Sequence, residues 1–440
     1  MDNFSQQNKK NILIVSYGYP PFNAPSVQRP YTLAKYLDKS KYKVTVITCP
    51  NADSSLGYDP NFDEALADVL LIKIDAKFLN KISGFRTPEV SVKKRKSTIL
   101  TKIKQKIFSL GASIIFPDKG VFWYGQVVRY LKEHSSIIDN CDIVFTSSPL
   151  ATNHNLGNYI KKKHPDVRWV AEFEDYHYLE NWSQKRGVLS SLHKKLEMKV
   201  IKNSDKVTFV SETMKNNYKK YYHEYAKKFY TIYNGYDTDN YKYLNFDTLE
   251  NEKLSITYAG SFYKGVRSPI PLLKLLDRAI KKGVLKKDEV VVKIAGNFEP
   301  ILLEEAKNYE SFSCIDFLGK IPRSQVLRLF ANSHLLWLIV GNQVTHYTSV
   351  PLKLFEYLAS RRPILNFAPY NSEASAIIEK FNLGVNFDVQ TEEFQSLEQK
   401  FYDLVGRFHK NELAEPLPAQ EIDIFSRKTH ALQFEAVFES

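Results

Sequence analysis

The stretch NILIVSYGYPPFNAPSVQRPYTLAKYLDKSKYKVTVIT, residues 11–48, decides the fold class. NILIVSYGY (11–19) is an apolar run rich in β-formers that ends at a Pro-Pro loop. A helical pattern follows through Ala34 and Leu37, and YKVTVIT (42–48) reads as a second strand. Two strands joined through a helix form a βαβ unit and therefore a parallel pair. The alternation continues with VLLIKI (69–74), DIVFTSS (142–148), RWVAEF (168–173), KVTFVS (206–211) and FYTIY (229–233). A turn-rich segment at 234–253 interrupts it. SITYAGS (255–261), EVVVKIAG (289–296), IDFLGK (315–320), HLLWLIVG (334–341) and PILNFAP (363–369) then restart it. The sequence predicts an α/β protein of two Rossmann-like domains facing across a cleft, residues 1–238 and 239–424. In such sheets ligands bind beyond the carboxyl ends of the strands, so functional residues are expected in the loops that follow them.

Length and composition agree. The chain has 440 residues, 43% hydrophobic and 25% charged, which is globular and too long for a single core. Three widely spaced cysteines, Cys49, Cys141 and Cys314, exclude a disulfide framework and a cysteine zinc site, which suits a reducing compartment. No apolar run approaches the length of a membrane span, and the first apolar run is too short for a signal-peptide core.

Charge is uneven. Residues 1–250 hold 38 basic and 26 acidic side chains, which is the whole net charge of +12, whereas 251–440 hold 23 of each. The densest cluster is Lys93, Lys94, Arg95, Lys96, Lys102, Lys104 and Lys106, interleaved with Ile99, Leu100, Ile103 and Ile107 at helical spacing. A basic amphipathic helix suits an anionic membrane surface, although the same pattern also describes a surface helix packed on its own domain. The expected location is cytoplasmic, peripheral to the inner face of the membrane. Nucleic acid is not expected as a partner.

The most informative segment is VPLKLFEYLASRRPIL, 350–365. Ser349 is placed to cap the helix that Pro351 opens, leaving backbone amides and the positive end of the dipole for a phosphate. Lys353 and Glu356 share a face, a lysine suited to a diphosphate and a carboxylate suited to ribose hydroxyls, or else an ordinary ion pair.

This segment resembles the nucleotide-binding helix of retaining glycosyltransferase family 4, which has the GT-B fold. IYNGYDTDNY (232–241) resembles that family's interdomain turn, ITYAGSFYKGVRSPIPLL (256–273) its phosphate loop, and VSYGYPPFNAPSVQRPYTLAKYL (15–37) its first loop and helix. IDFLGKIPRSQVLRLF (315–330) resembles the segment that brackets the base. By resemblance, Glu356 binds the donor ribose, Arg267 the diphosphate, and Gly260, Ser261, Ile321, Ser349 and Lys353 complete the donor site. The family often has a Glu-x7-Glu pair, and Thr348 stands where its first glutamate would be. The usual glycine-rich first loop is replaced by FNAPSVQR, which puts Gln28 and Arg29 on the acceptor side. AEFEDYHYLENW (171–182) resembles an Asp-Phe-Arg-Asp segment, so Asp175 joins Glu356 as a catalytic candidate. Glu174 and His154 are acceptor-side candidates. Strand alternation places Glu172 with Glu174 and opposite Asp175. The resemblance also packs a final helix, 425–440, back on the first domain.

Asp237-Thr238-Asp239 spells a metal-binding pattern of another glycosyltransferase fold but falls in a turn, so no metal and no other cofactor is expected. The function expected is transfer of a sugar from a nucleotide-diphosphate donor to a lipid-linked or surface-polysaccharide acceptor. A sugar-nucleotide epimerase and a non-catalytic nucleotide-sugar-binding scaffold are the alternatives.

Overall fold

The computed structural model describes residues 9–22, 24–51, 66–76, 115–179, 188–244, 249, 252–341, 348, 350–413, 417–418 and 422–440. The basic segment 93–106 and Ser349 lie outside them. The chain divides into two compact units, residues 1–232 with 431–440, and residues 233–430. The division falls six residues before the expected 238, because the turn after Ile232 bonds within the second unit. There Tyr236 hydroxyl donates to Asp423 at 3.2 Å, and Arg427 Nε donates to the Gly235 carbonyl at 3.0 Å.

The first unit is built on seven parallel strands, β1 (Lys10–Val15), β2 (Tyr42–Thr48), β3 (Val69–Lys73), β4 (Ile143–Ser147), β5 (Arg168–Phe173), β6 (Lys206–Phe209) and β7 (Phe229–Thr231), in the order β3-β2-β1-β4-β5-β6-β7. Along β1, Ile12 and Ile14 enter one core while Leu13 and Val15 enter the other. Both faces of the sheet are therefore covered, which is why these strands read as continuous apolar runs. The helices that bear on the site are α1 (Pro25–Tyr36), α2 (Val121–Glu133), α3 (Ala151–Lys163), α4 (Val188–Asn203) and α5 (Glu212–Tyr221).

The second unit has six parallel strands, β8 (Leu254–Ala259), β9 (Val290–Ala295), β10 (Ile315–Gly319), β11 (Leu335–Ile339), β12 (Ile364–Phe367) and β13 (Gly384–Phe387), in the order β10-β9-β8-β11-β12-β13. Its helices are α6 (Ile270–Lys281), α7 (Pro300–Ala306), α8 (Arg323–Ala331), α9 (Leu352–Ala359), α10 (Glu373–Lys380) and α11 (Phe394–His409). On β11, Leu335, Trp337 and Ile339 pack on one face and Leu336 and Leu338 on the other. The strand order turns about the adjacent pair β8 and β11, and the crevice for a ligand in such a sheet opens beyond their carboxyl ends.

The last helix, α12 (Arg427–Glu439), begins in the second unit, and its residues from Ala431 on belong to the first. Phe434 and Phe438 are wholly buried there, with Phe434 edge-on to Phe145 at 5.4 Å. Glu435 accepts from the Asp38 amide at 2.9 Å, and Tyr42 hydroxyl donates to Glu439 at 3.0 Å. Among the described residues, no helix is long and apolar enough to cross a membrane.

Candidate functional site

The candidate donor site stands on the loops after β8, β10 and β11 and on α9. Beyond β8 the backbone passes through Gly260, where an added Cβ would lie 2.0 Å from Lys353 Nζ, so glycine is what lets the ammonium rest against the main chain. The same ammonium sits 4.9 Å from the centroid of the Tyr258 ring, a cation–π contact. Tyr258 is held in turn by stacking on Phe262 at 4.5 Å and by donating its hydroxyl to the Ser261 carbonyl at 3.2 Å.

Burial pushes the Lys353 ammonium down to about 8, the charge of Arg267 pushes the same way, and Glu356 opposes them. Arg267 is fixed by a two-way backbone pairing with Tyr263, and its Nε is buried with no hydrogen-bond partner among the described residues. Two cations thus converge beside Gly260 with one guanidinium nitrogen unsatisfied, an arrangement that an oxyanion completes.

Glu356 does not pair with Lys353. It takes Arg323, at the start of α8, with Nη1 2.6 Å from Oε1. Tyr241 hydroxyl donates to the Glu356 carbonyl at 3.4 Å. Sequence reasoning missed Arg323 and Tyr258. Arg323 lies inside the quoted base-bracketing segment, on a different helix from Glu356 and with no local pattern linking the two, and Tyr258 reads only as a strand residue. Ile321, just before α8, is half-buried. The helix α9 starts at Leu352, with Pro351 in the N-cap position and no side chain capping it. The expected cap from Ser349 falls outside the described residues. Thr348 is buried.

A cavity of about 370 Å³ opens in the same unit beyond the ends of β8, β11, β12 and β13. Arg267, Ser268, Ile339, Phe367, Asp388 and Gln390 are among its lining. Asp388 is already satisfied, accepting from Thr391 Oγ1 at 2.7 Å and from three backbone amides, so it shapes the wall rather than waiting for a ligand.

The acceptor-side candidates fare differently. Arg29 is turned inward, not toward a ligand: its Nε lies 2.5 Å from Glu172 Oε1, both side chains are almost fully buried, and its Nη2 donates to the Ile232 carbonyl at 2.8 Å. Its guanidinium also lies over the Phe434 ring at 5.2 Å. A charge in that position is a tie between elements. His154 is likewise internal, with Nδ1 2.8 Å from Thr146 Oγ1 and its ring 5.0 Å from Phe173. Burial drives it down to about 3, which leaves the imidazole neutral and structural.

Gln28 is half-buried on α1. Glu174 is buried, and its amide donates to Ser148 Oγ at 2.8 Å. Asp175 reaches solvent, while the packing at its base pushes its carboxyl above the usual range. The loop that carries these residues is clamped from beneath by Glu197, a buried carboxylate that accepts from the Tyr178 amide at 2.8 Å, Tyr218 hydroxyl at 2.9 Å and Tyr222 hydroxyl at 2.6 Å. Asp237, the first aspartate of the Asp-x-Asp pattern, caps a short turn by accepting from the Asp239 amide at 3.0 Å.

With this geometry in hand, comparison with known proteins is specific. The sequence signature of Glycosyltransferase Family 4 matches residues 28–240. No curated protein matches the chain in sequence. Among solved structures, a sucrose-phosphate synthase from Thermosynechococcus elongatus superposes with a TM-score of 0.61 at 12% identity, covering 98% of each chain. WaaG, a glycosyltransferase involved in lipopolysaccharide biosynthesis, gives 0.52 at 16% identity over 94% of this chain and 99% of its own. A TarM variant from S. aureus, solved with fondaparinux, α-GlcNAc-glycerol and UDP, gives 0.56 at 12% identity over 98% of this chain and 100% of its own. These likenesses establish the two-unit GT-B architecture over the length of the chain. The family match falls on the first unit, and the candidate donor residues fall on the second. Together they show a chain with the GT-B fold whose residues 28–240 are similar to Glycosyltransferase Family 4.

Proposed function

We propose that this glycosyltransferase is a retaining enzyme that moves a hexosyl group from a nucleoside diphosphate sugar to a hydroxyl of a lipid-linked or surface-polysaccharide acceptor. The observation that carries the reading is the convergence of Arg267 and Lys353 at Gly260, one helical turn from Glu356. A diphosphate there meets two cations and the open N-terminus of α9, and the ribose lies within reach of a carboxylate. Catalysis is then mostly electrostatic: as the bond from the anomeric carbon to the diphosphate oxygen breaks, Arg267 and Lys353 stabilise the charge left on the leaving group. The acceptor oxygen attacks from the same face, and the departing phosphate oxygen takes its proton. Asp175, on the first unit, is the candidate to orient the acceptor hydroxyl. Lipopolysaccharide biosynthesis for WaaG and a GlcNAc-glycerol ligand for TarM support an envelope glycan as acceptor.

The test is transfer from labelled UDP-, GDP- and ADP-sugars to an envelope lipid and glycan extract. Glu356→Ala is expected to lose transfer while keeping the wild-type melting temperature, and full activity in that variant overturns the reading. Product formed from donor alone would favour an epimerase.

A further inference from the structure

The helix α4 carries a face that the sugar-transfer chemistry does not use. Its inner side is anchored: Leu196, Glu197, Val200 and Ile201 are buried. Its outer side exposes Leu189 at 44%, Leu192 at 37% and Met198 at 36%. Leu192, Lys195, Lys199 and Lys202 follow one another at spacings of three, four and three on one side of the helix, and Leu189, exposed in the first turn, extends this stripe at its edge, so it is apolar toward the N-terminus and basic toward the C-terminus. Lys194 is exposed beside it. The one acidic residue of α4, Glu197, is buried and taken up by Tyr178, Tyr218 and Tyr222. No ion pair offsets these lysines among the described residues. Lys162, at the end of α3, adds a further positive charge: burial and its proximity hold Lys199 below the usual lysine range.

Exposed leucines alone would leave the occupant open, but charge narrows it. A stripe that joins bare leucine side chains to uncompensated lysines on one helix fits a surface that is anionic at its head groups and apolar just beneath. A polyanion such as RNA would satisfy the lysines and leave Leu189 and Leu192 in water.

We propose that the Leu189–Leu192–Lys195–Lys199–Lys202 stripe of α4 docks on an anionic bilayer, with the leucines at the acyl boundary and the lysines on the head groups. The inference rests on the lipid-linked acceptor proposed above for its purpose, but not for its geometry. It also locates membrane contact on an element other than the 93–106 cluster.

The experiment is vesicle flotation of the full chain with phosphatidylcholine alone and with phosphatidylcholine mixed with phosphatidylglycerol. Two surface variants are compared with wild type: Lys195→Glu with Lys199→Glu, and Leu189→Ser with Leu192→Ser. Wild type is expected to float only with the anionic vesicles, and less so as salt is raised. The lysine pair is expected to reduce partitioning by about tenfold or more, since each basic residue near such a surface contributes substantially. The leucine pair is expected to reduce it several-fold. Both variants should keep the wild-type melting temperature and its response to nucleotide, which separates loss of docking from loss of the donor site. Wild-type flotation in both variants overturns the proposal, as does equal flotation on neutral vesicles. Loss confined to the lysine pair, with RNA displacing the vesicles, also overturns it and assigns the stripe to a polyanion instead.

Discussion

Lys353 is the residue on which the donor site turns. Its ammonium is lowered to about 8, so it is charged below that pH and neutral above it. A diphosphate binds the charged form, so UDP affinity should be level below about pH 7.5 and fall as pH rises through about 8 to 9. Isothermal titration across that range checks this, and Lys353→Met should bind more weakly and show a flat profile. Loss of one charge-assisted contact is expected to weaken binding by about 1.5–3 kcal/mol. Gly260→Ala makes a related prediction at the neighbouring position. A methyl group there displaces the lysine and sits on a backbone with φ of 155°, which side chains rarely adopt, so nucleotide affinity should drop by a similar amount and the melting temperature should fall with it. Glu356→Ala should also spare the fold, because its partner Arg323 is 56% exposed and such a pair contributes no more than about 1 kcal/mol.

At the scale of elements, the buried pair of Arg29 and Glu172 joins α1 to β5, and Arg29 adds the chain leaving β7 and the ring of Phe434 on α12. Removing one partner leaves the other charged and unsolvated. Arg29→Ala is therefore expected to destabilise the first unit by about 3–5 kcal/mol in urea unfolding. Arg29→Met combined with Glu172→Leu should recover much of that loss, since no lone charge remains.

The contrast between this pair and the strands shows what the sequence makes legible. β1, β2, β8 and β9 are visible because apolar, β-branched runs between turn residues are a local signal. The strand β13, Gly-Val-Asn-Phe, escapes notice because four residues with one polar side chain carry no such signal. Arg29 looks like a free ligand donor for a related reason. Its partner lies 143 residues away, and only the pairing of β4 with β5 and the seating of α1 bring them together. Likewise Glu356 and Lys353 are readable as a helix-face pair, while the choice of Arg323 as the partner of Glu356 depends on where α8 begins relative to α9.

On the scale of the molecule, two sheets of matching order carry different duties. The first holds the family match and the net positive charge, and the second holds the candidate donor site. The chain's last ten residues complete the first unit's core, with Phe434 and Phe438 fully buried and each contributing about 1.5–3 kcal/mol. Truncation after His430 is therefore expected to lower the unfolding free energy by at least about 3 kcal/mol, read by tryptophan fluorescence in urea. The central claim, that the second unit binds a nucleoside diphosphate through Arg267, Lys353 and Glu356, is tested most directly by the melting temperature of the full chain with UDP, GDP, ADP and CMP, in wild type and in Glu356→Ala. A ligand that binds only the native state must raise that temperature. The account predicts a clear rise with one of the diphosphates that is lost in Glu356→Ala. No rise with any of them, or an equal rise in the variant, would contradict it.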